Sequence, residues 1–257
     1  MTSHVKQRAD APDDFFEAEA AGLAWLAEAT PGGGSRIVSV ESVSPGRIAL
    51  GAVHETRPTP EAARRFGAAL AATHAAGADA FGAPPAGWHG PVFIGRRQQE
   101  CTPRDSWGAF YAAQRVLPFA RTAVEAGSLT RDELDLVESA CDLVAAGALD
   151  DDQAPARLHG DLWSGNVLVD ADGVVLIDPA AHGGHPETDL AMLQLFGLPF
   201  LEEALAGYQD ASPLRDGWRD RVPLHQLHPL AVHAAGHGPS YGRALADAAE
   251  QVIALAG

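Results

Sequence analysis

The sequence predicts an α+β protein with two lobes, a small N-terminal lobe at residues 1–58 and a larger, mainly helical lobe at residues 59–257. Three observations support this prediction. Two β-rich runs follow a helical segment near the start of the chain. From residue 60 onward, apolar residues recur mostly at the spacing of amphipathic helices. Within that helical part, two β-branched runs around a tight turn have the chemistry of a hairpin.

The composition excludes several classes of protein. Of the 257 residues, 46% are hydrophobic and 20% are charged, which is typical of a globular protein with a sizeable core. The apolar runs are short, and residues 1–14 lack the apolar core of a signal peptide, so we predict a cytoplasmic protein without a membrane span. A formal charge of −16 argues against nucleic acid or an anionic membrane as a partner. Cys101 and Cys141 are predicted to be free thiols.

The N-terminal lobe is predicted to begin with a short strand that carries Lys6. A helix is expected over residues 13–29, because apolar residues recur at helical spacing and acidic residues favour its start. The Thr-Pro-Gly sequence at 30–32 ends this helix.

Two further strands are expected to complete the sheet of this lobe. They span residues 36–43 and 47–53, on either side of the Ser-Pro-Gly turn at 44–46. Residues 52–56 would then form a hinge that leads into the larger lobe.

The larger lobe is predicted to contain several amphipathic helices. They are expected at 60–76, 105–125, 130–146 and 240–255, with another beginning near Glu187. Between the first two, residues 77–104 are rich in glycine and proline and are expected to be irregular. Asp150 to Asp152 are expected to form a solvated acidic loop.

The chemistry of the chain is concentrated at Leu-His-Gly-Asp-Leu-Trp-Ser-Gly-Asn, residues 158–166, of which we call 159–166 the HGD loop. The predicted hairpin follows this loop, and Asp178 follows the hairpin. Because a hairpin reverses the chain, it would return Asp178 to the side of Asp161 and Asn166. Two carboxylates and an amide at this spacing are typical of phosphoryl transfer.

Each of the three side chains has a predicted role. Asp161 would orient the acceptor hydroxyl and take its proton, and Asn166 and Asp178 would hold Mg²⁺ against nucleotide phosphates. The alternative is an ordinary surface turn that happens to carry Asp and Asn. The hairpin and the second aspartate together favour the phosphoryl-transfer interpretation.

These residues resemble those of a known family. The HGD loop and Asp178 resemble the aminoglycoside-phosphotransferase branch of the protein-kinase-like fold. The full string at 158–166 resembles the fructosamine/ketosamine 3-kinases in particular, as do Asp178-Pro179-Ala180, Gly184-His185 and residues 187–191. Trp163-Ser164-Gly165 is the most discriminating part, because antibiotic kinases usually carry other residues there.

The resemblance implies a two-lobed protein-kinase-like fold of the aminoglycoside phosphotransferase type. It also implies ATP- and Mg²⁺-dependent phosphorylation of the 3-hydroxyl of a ketosamine, that is, a fructosamine or ribulosamine adduct of a free amino acid or a protein. In that family the phosphate destabilises the adduct and frees the amine, which is a deglycation repair. The expected partner is therefore a small or protein-bound ketosamine, and the expected assembly is a monomer or a weak homodimer.

The resemblance also implies nucleotide contacts. Lys6 would pair with Glu19 and contact the α- and β-phosphates, and Val53 in the hinge would lie at the adenine edge. His159 would support the HGD loop. Without the family resemblance, the simpler interpretation is that Lys6 is an unpaired terminal lysine and Glu19 a solvated helix residue.

The implied substrate contacts are less specific. Trp163 would either stack on the sugar or serve the structure, and Trp88 would either contact substrate or pack. His185 would shape the sugar pocket or cap the helix that follows it. His233 is also implied as a weak substrate contact. The family has a histidine followed by an aromatic residue near this position, whereas Ala234 follows His233 here.

Two alternatives stay open from the sequence. In the family, two strands and a glycine-bearing phosphate loop precede the lysine, so the small lobe is expected to lack the Gly-rich loop strands. One alternative is therefore a pseudokinase that binds a nucleotide without turnover. The other is a small-molecule kinase of the aminoglycoside phosphotransferase type, against which Trp163 and Ser164 argue.

Overall fold

The computed structural model describes residues 3–257. Its N-terminal part contains β1 (Ser3–Gln7), α1 (Phe15–Ala27), β2 (Arg36–Ile37), β3 (Val40–Ser44) and β4 (Arg47–Gly51). Strands β1, β4 and β3 form an antiparallel sheet with β4 in the middle. Strand β4 presents Ile48 and Leu50 to α1, where they pack with Phe16 and Leu23. This packing fixes α1 against the sheet.

The predicted strand over residues 36–43 is wrong, because the chain divides there into β2 and β3. Strand β2 pairs in parallel with β9 of the hairpin in the larger lobe, not with the N-terminal sheet. The division lies at Val38 and Ser39. The Val38 N–H donates to Leu176 O over 3.1 Å, whereas Ser39 O accepts the N–H of Gly51. The two residues therefore bond to different sheets.

The larger part of the chain is mainly helical. Its helices are α2 (Pro60–Ala75), α3 (Trp107–Phe110), α4 (Leu117–Glu125), α5 (Arg131–Ala145), α6 (Pro186–Phe196), α7 (Leu201–Ala211), α8 (Val222–His237) and α9 (Pro239–Ala256). Its strands are β5 (Val92–Ile94), β6 (Arg97–Gln99), β7 (Ala156–Leu158), β8 (Val167–Asp170), β9 (Gly173–Leu176) and β10 (His182–Gly184). The main core lies among α3, α4, α5, α8 and α9. No helix within residues 3–257 has the length and apolarity needed to span a membrane.

The helix predicted over 105–125 is interrupted by a π-helical turn at Tyr111–Val116, between α3 and α4. Pro118 explains the interruption, because it has no N–H to donate to the carbonyl of Gln114. That carbonyl instead accepts Nη1 of the buried Arg115 at 3.2 Å. Sequence spacing alone did not indicate this change.

Residues 77–104 are less irregular than predicted, since β5 and β6 form a short antiparallel hairpin there. Helices α7 and α8 were also not anticipated as complete elements. The start of α5 follows the sequence signal closely, because Thr130 and Glu133 form a reciprocal capping box.

Candidate active site

A cavity of about 240 Å³ lies between α1, β5 and the HGD loop. From α1 it is lined by Phe15, Ala18 and Glu19, and from β5 by Val92 and Phe93. Asp161, Trp163, Asn166 and Asp178 complete its polar wall. The three residues predicted for phosphoryl transfer therefore share one cavity.

The β8–β9 hairpin brings the two ends of this polar wall together. Val167 pairs with Leu176 in the register of the hairpin, and the N–H of Ile177 donates to Asn166 O over 3.2 Å. Asp178 consequently lies beside Asn166. Its φ of 55° is in the left-handed region, which is uncommon for non-glycine residues.

The Asn166 side chain is held by its nitrogen. Nδ2 donates to Asp161 O at 2.7 Å, to Asp161 Oδ2 at 3.2 Å and to Asp178 O at 3.4 Å. This arrangement commits the nitrogen to the protein and leaves the side-chain oxygen for a ligand. With the partly exposed carboxylate of Asp178, it supplies the hard oxygen atoms that Mg²⁺ prefers, so the residues present fit this ion.

Asp161 occupies an environment that disfavours its charge. Burial, together with the negative charges of Asp178 and Asp189, raises the pKa of Asp161 to about 7, while the hydrogen bond from Asn166 acts in the opposite direction. A carboxylate with a pKa near neutrality is suited to accept a proton from a hydroxyl.

His159 supports the loop from behind. Its Nε2 is 2.9 Å from Ile177 O, so this nitrogen donates to the carbonyl and Nδ1 accepts the N–H of Asp161 at 3.3 Å. Burial lowers the pKa of His159. The ring therefore ties the loop to Ile177, the residue before Asp178.

The backbone of the HGD loop is anchored to α6 by Asp189. Its carboxylate accepts the N–H of His159 at 2.8 Å and the N–H of Gly160 at 3.0 Å. Gly160 has a φ of 80°, and a Cβ there would lie 2.2 Å from Ala180 O. This position therefore requires glycine.

Lys6 joins both sides of the cavity. Its Nζ is 2.8 Å from Glu19 Oε1 and also contacts Asp178 Oδ1. Burial raises the pKa of Glu19, and the charge of Lys6 opposes this effect. The structure thus brings Lys6 and Glu19 together, as the resemblance implied.

The hinge approaches the hairpin from the other side. The N–H of Thr56 donates to Val169 O over 2.7 Å. Val53 is partly buried and packs against the N-terminal core. It lies near this junction in sequence, and its predicted place at the adenine edge stays a prediction.

Three predicted substrate residues lie outside the cavity lining. Trp88 lines a separate groove, and its Nε1 donates to Pro91 O at 2.9 Å. His185 is only 3% exposed, and its Nδ1 accepts the N–H of Glu187 as the cap of α6. Of the two roles predicted for His185, the structure shows the helix cap, and the buried ring does not line the cavity.

The third of these residues, His233, lies on α8, and its ring centroid is 4.5 Å from that of Phe196 in a tilted arrangement. Phe196 in turn meets the edge of Trp163 at 6.4 Å. Trp163 lines the cavity and is 41% exposed. Trp163 is therefore the predicted substrate residue that the structure places at the cavity.

Two contributions were missed or misread from sequence. His74 is buried on α2, and its Nε2 lies 3.2 Å from Asp189 Oδ2, so it joins the anchor of the HGD loop, which the sequence did not indicate. Asp151 was predicted in a solvated loop but pairs with His185 at 3.2 Å and with Arg221 at 3.5 Å. Burial acts to raise its pKa, but these partners lower it to about 2. No local sequence pattern indicates either contact.

A buried ionic network surrounds the start of α6. Arg221 binds both carboxylate oxygens of Glu187, and His225 Nε2 lies 3.4 Å from the same carboxylate. Burial lowers the pKa of His225 to about 4. His185, Glu187 and His225 could also be grouped as metal ligands. Arg221 opposes that interpretation, because its charge already neutralises the carboxylate.

Comparison with known proteins agrees with this geometry. The profile of the fructosamine kinase family matches residues 2–255. A probable ketoamine kinase of Vibrio parahaemolyticus is 30% identical over 228 residues, which are 88% of this chain and 76% of the relative. A ketosamine-3-kinase of Mus musculus is 37% identical over 137 residues, 53% of this chain and 43% of that protein.

Other relatives are matched over only part of their length. A probable ketoamine kinase of Enterococcus faecium is 35% identical over 161 residues, 62% of this chain. The aligned stretch spans 58% of that relative and 50% of a further relative from Vibrio vulnificus.

Solved structures confirm the predicted fold class. A protein from Thermobifida fusca YX-ER1, assigned as a fructosamine-3-kinase, has a TM-score of 0.90 and 47% identity, covering 98% of this chain and 85% of that one. A choline kinase from Streptococcus pneumoniae has a TM-score of 0.64 at 15% identity, covering 98% of this chain and 86% of that one, which shows a shared protein-kinase-like fold alone. From the profile match and these relatives, the chain belongs to the fructosamine kinase family.

Proposed function

We propose that this protein is an ATP- and Mg²⁺-dependent kinase that phosphorylates the 3-hydroxyl of ketosamines. The observation that carries the proposal is the meeting of Asp161, Asn166 and Asp178 at one cavity, with Lys6 linking Asp178 to Glu19. The names of the relatives supply the acceptor class. The product would be a ketosamine 3-phosphate. Phosphorylation would destabilise the adduct and release the amine, which is consistent with a role in deglycation.

The nucleotide side is assigned to four residues. Asn166 and Asp178 would hold Mg²⁺, which supplies charge neutralisation for the phosphates when it is bound. Lys6, fixed by Glu19, would hold the α- and β-phosphates. Their chemistry supports this assignment, since the cation of Lys6 contacts Asp178, and Asp178 in turn is hydrogen-bonded to Asn166.

The acceptor side is assigned to Asp161 and Trp163. Asp161 would accept the proton of the sugar 3-hydroxyl while the new oxygen–phosphorus bond forms. The bond between the γ-phosphorus and the bridging oxygen breaks, and ADP leaves with that electron pair. Trp163, exposed beside Asp161, would offer a ring face to the sugar.

The test is an acceptor screen with purified protein and Mg-ATP. We expect fructosyl-lysine or ribulosyl-lysine to be phosphorylated, with ADP and sugar phosphate formed in equal amounts. Choline and an aminoglycoside serve as control acceptors, because kinases of both kinds share the fold. Turnover of a control acceptor alone would replace the ketosamine assignment with another small-molecule kinase. ATP binding without turnover of any acceptor would favour a pseudokinase.

We further propose that the protein acts in the cytoplasm on small or protein-bound ketosamines, as a monomer or weak homodimer. The charge of −16 supports an acceptor that is not a nucleic acid.

A further inference from the structure

The anchor of the HGD loop continues beyond Asp189 to a second buried helix. His74 on α2 contacts Asp189 through Nε2, and its other ring nitrogen, Nδ1, is 2.9 Å from the hydroxyl oxygen of Tyr208 on α7. His74 is 4% exposed, Asp189 1% and Tyr208 2%. A continuous line of hydrogen bonds therefore runs from Tyr208 to the backbone of the HGD loop.

The chemistry of the groups sets the direction of these bonds. An ionised Asp189 only accepts, so Nε2 of His74 carries a proton and donates to it. The hydroxyl of Tyr208 then donates to the lone pair of Nδ1. Burial raises the pKa of Tyr208, which keeps that hydroxyl protonated. Tyr208 and Asp189 thus favour the same tautomer of His74, the one with its proton on Nε2.

The two helices that carry this line pack with unusually close backbones. A Cβ at Gly67 of α2 would lie 1.8 Å from Ala204 O, and a Cβ at Gly207 of α7 would lie 1.9 Å from Arg64 O. Neither position has room for a side chain. This contact fixes the separation of α2 and α7, and therefore the distance between His74 and Tyr208.

We propose that Tyr208 is a positioning residue for the HGD loop, acting through His74 and Asp189. The tyrosine holds the His74 ring in one tautomer and one orientation, so that Asp189 stays directed at the N–H groups of His159 and Gly160. Asp161 follows Gly160 directly, so the anchored backbone of His159 and Gly160 sets the position of Asp161. The effect on catalysis rests on the proposed kinase function, whereas the effect on the loop does not.

The direct test is amide hydrogen exchange in Tyr208→Phe, without substrate. Removing the hydroxyl leaves Nδ1 of His74 unpaired, and we expect exchange at the His159 and Gly160 amides to accelerate about tenfold. The matched control is Tyr111→Phe, since Tyr111 is also 2% exposed and its hydroxyl bonds to backbone groups of α8. We expect that variant to leave exchange in the HGD loop unchanged.

A second measurement tests the tautomer itself. The ¹⁵N shifts of His74 should show a protonated Nε2 and an unprotonated Nδ1 in the natural protein, and Tyr208→Phe should alter this pattern. Unchanged shifts together with unchanged loop exchange would overturn the proposal. Equal acceleration of loop exchange in Tyr111→Phe would also overturn it, because the effect would then be general destabilisation.

Kinetics extend the test to function. We expect Tyr208→Phe to lower kcat about tenfold while KM for Mg-ATP stays within about twofold, because the group acts on loop placement rather than nucleotide binding. Tyr111→Phe should retain the natural kcat. A natural protein without kinase activity would refute the proposed function but leave the exchange result to decide the role of Tyr208.

Discussion

Nζ of Lys6 lies 2.8 Å from Oε1 of Glu19, joining the first strand of the sheet to the helix that borders the cavity. The same Nζ contacts Asp178, so one cation connects the N-terminal lobe with the distant segment that carries Asp178. This placement is the basis of the first prediction.

Replacing Lys6 by methionine should lower kcat/KM for Mg-ATP about 100-fold, which corresponds to about 2.7 kcal/mol of transition-state stabilisation. The variant loses a charged contact to the phosphates but keeps a side chain of similar length. Arg47→Met, on β4 of the same sheet, is the matched control and should retain activity. Equal losses in both variants would contradict a specific role for Lys6.

Replacing Asp161 by asparagine should lower kcat by about 10²–10⁴-fold, the range expected for loss of a general base. The amide fills the same space but cannot accept the proton of the acceptor. Binding of Mg-ATP, measured by calorimetry, should be nearly unchanged. A variant that keeps its kcat would exclude Asp161 as the base.

Replacing Asp178 by asparagine should increase the Mg²⁺ concentration needed for half-maximal activity on the order of tenfold, because one charged oxygen ligand is lost. The measurement is initial rate against free Mg²⁺ at fixed ATP. Asp172→Asn, in the exposed turn of the same hairpin, should leave the Mg²⁺ requirement unchanged. A similar increase in both variants would contradict direct metal binding by Asp178.

The stability of the fold should decrease as the pH falls below about 6.5. His225 has a folded-state pKa of about 4, so the unfolded chain takes up its proton at a higher pH than the folded protein does. The free energy of unfolding should then decrease by up to about 1.4 kcal/mol per pH unit from this residue.

Urea denaturation at pH 7, 6 and 5 measures this effect. His225→Gln should reduce the slope of unfolding free energy against pH, although the variant starts from a lower stability. The exposed His54→Gln should leave the slope unchanged. Parallel pH dependence in the natural protein and His225→Gln would rule out this contribution.

The sequence was most informative about contacts between residues that are close together along the chain. The HGD loop, its hairpin and Asp178 lie within one short stretch, and turn chemistry is sufficient to bring them together. The Lys6–Glu19 pair needed the family resemblance, because neither residue carries a local signal.

Contacts between distant segments could not be inferred. The bond from Tyr208 to His74 depends on how α7 packs on α2, and nothing in the spacing of either helix specifies it. The burial of His185 and Asp151 depends likewise on the fold of α6 and α8. The π-helical turn at 111–116 had a visible cause in Pro118, which lies inside the predicted helix, but a proline there does not specify which form the interruption takes.

Strand β2 is only two residues long, but it contributes to the same sheet as the hairpin that carries Asp178 at its exit. A cut at the proposed boundary after residue 58 would therefore divide one sheet between two polypeptides. We expect the two fragments to give active protein only when they are produced together. The larger fragment alone would present β9 as an unpaired edge strand.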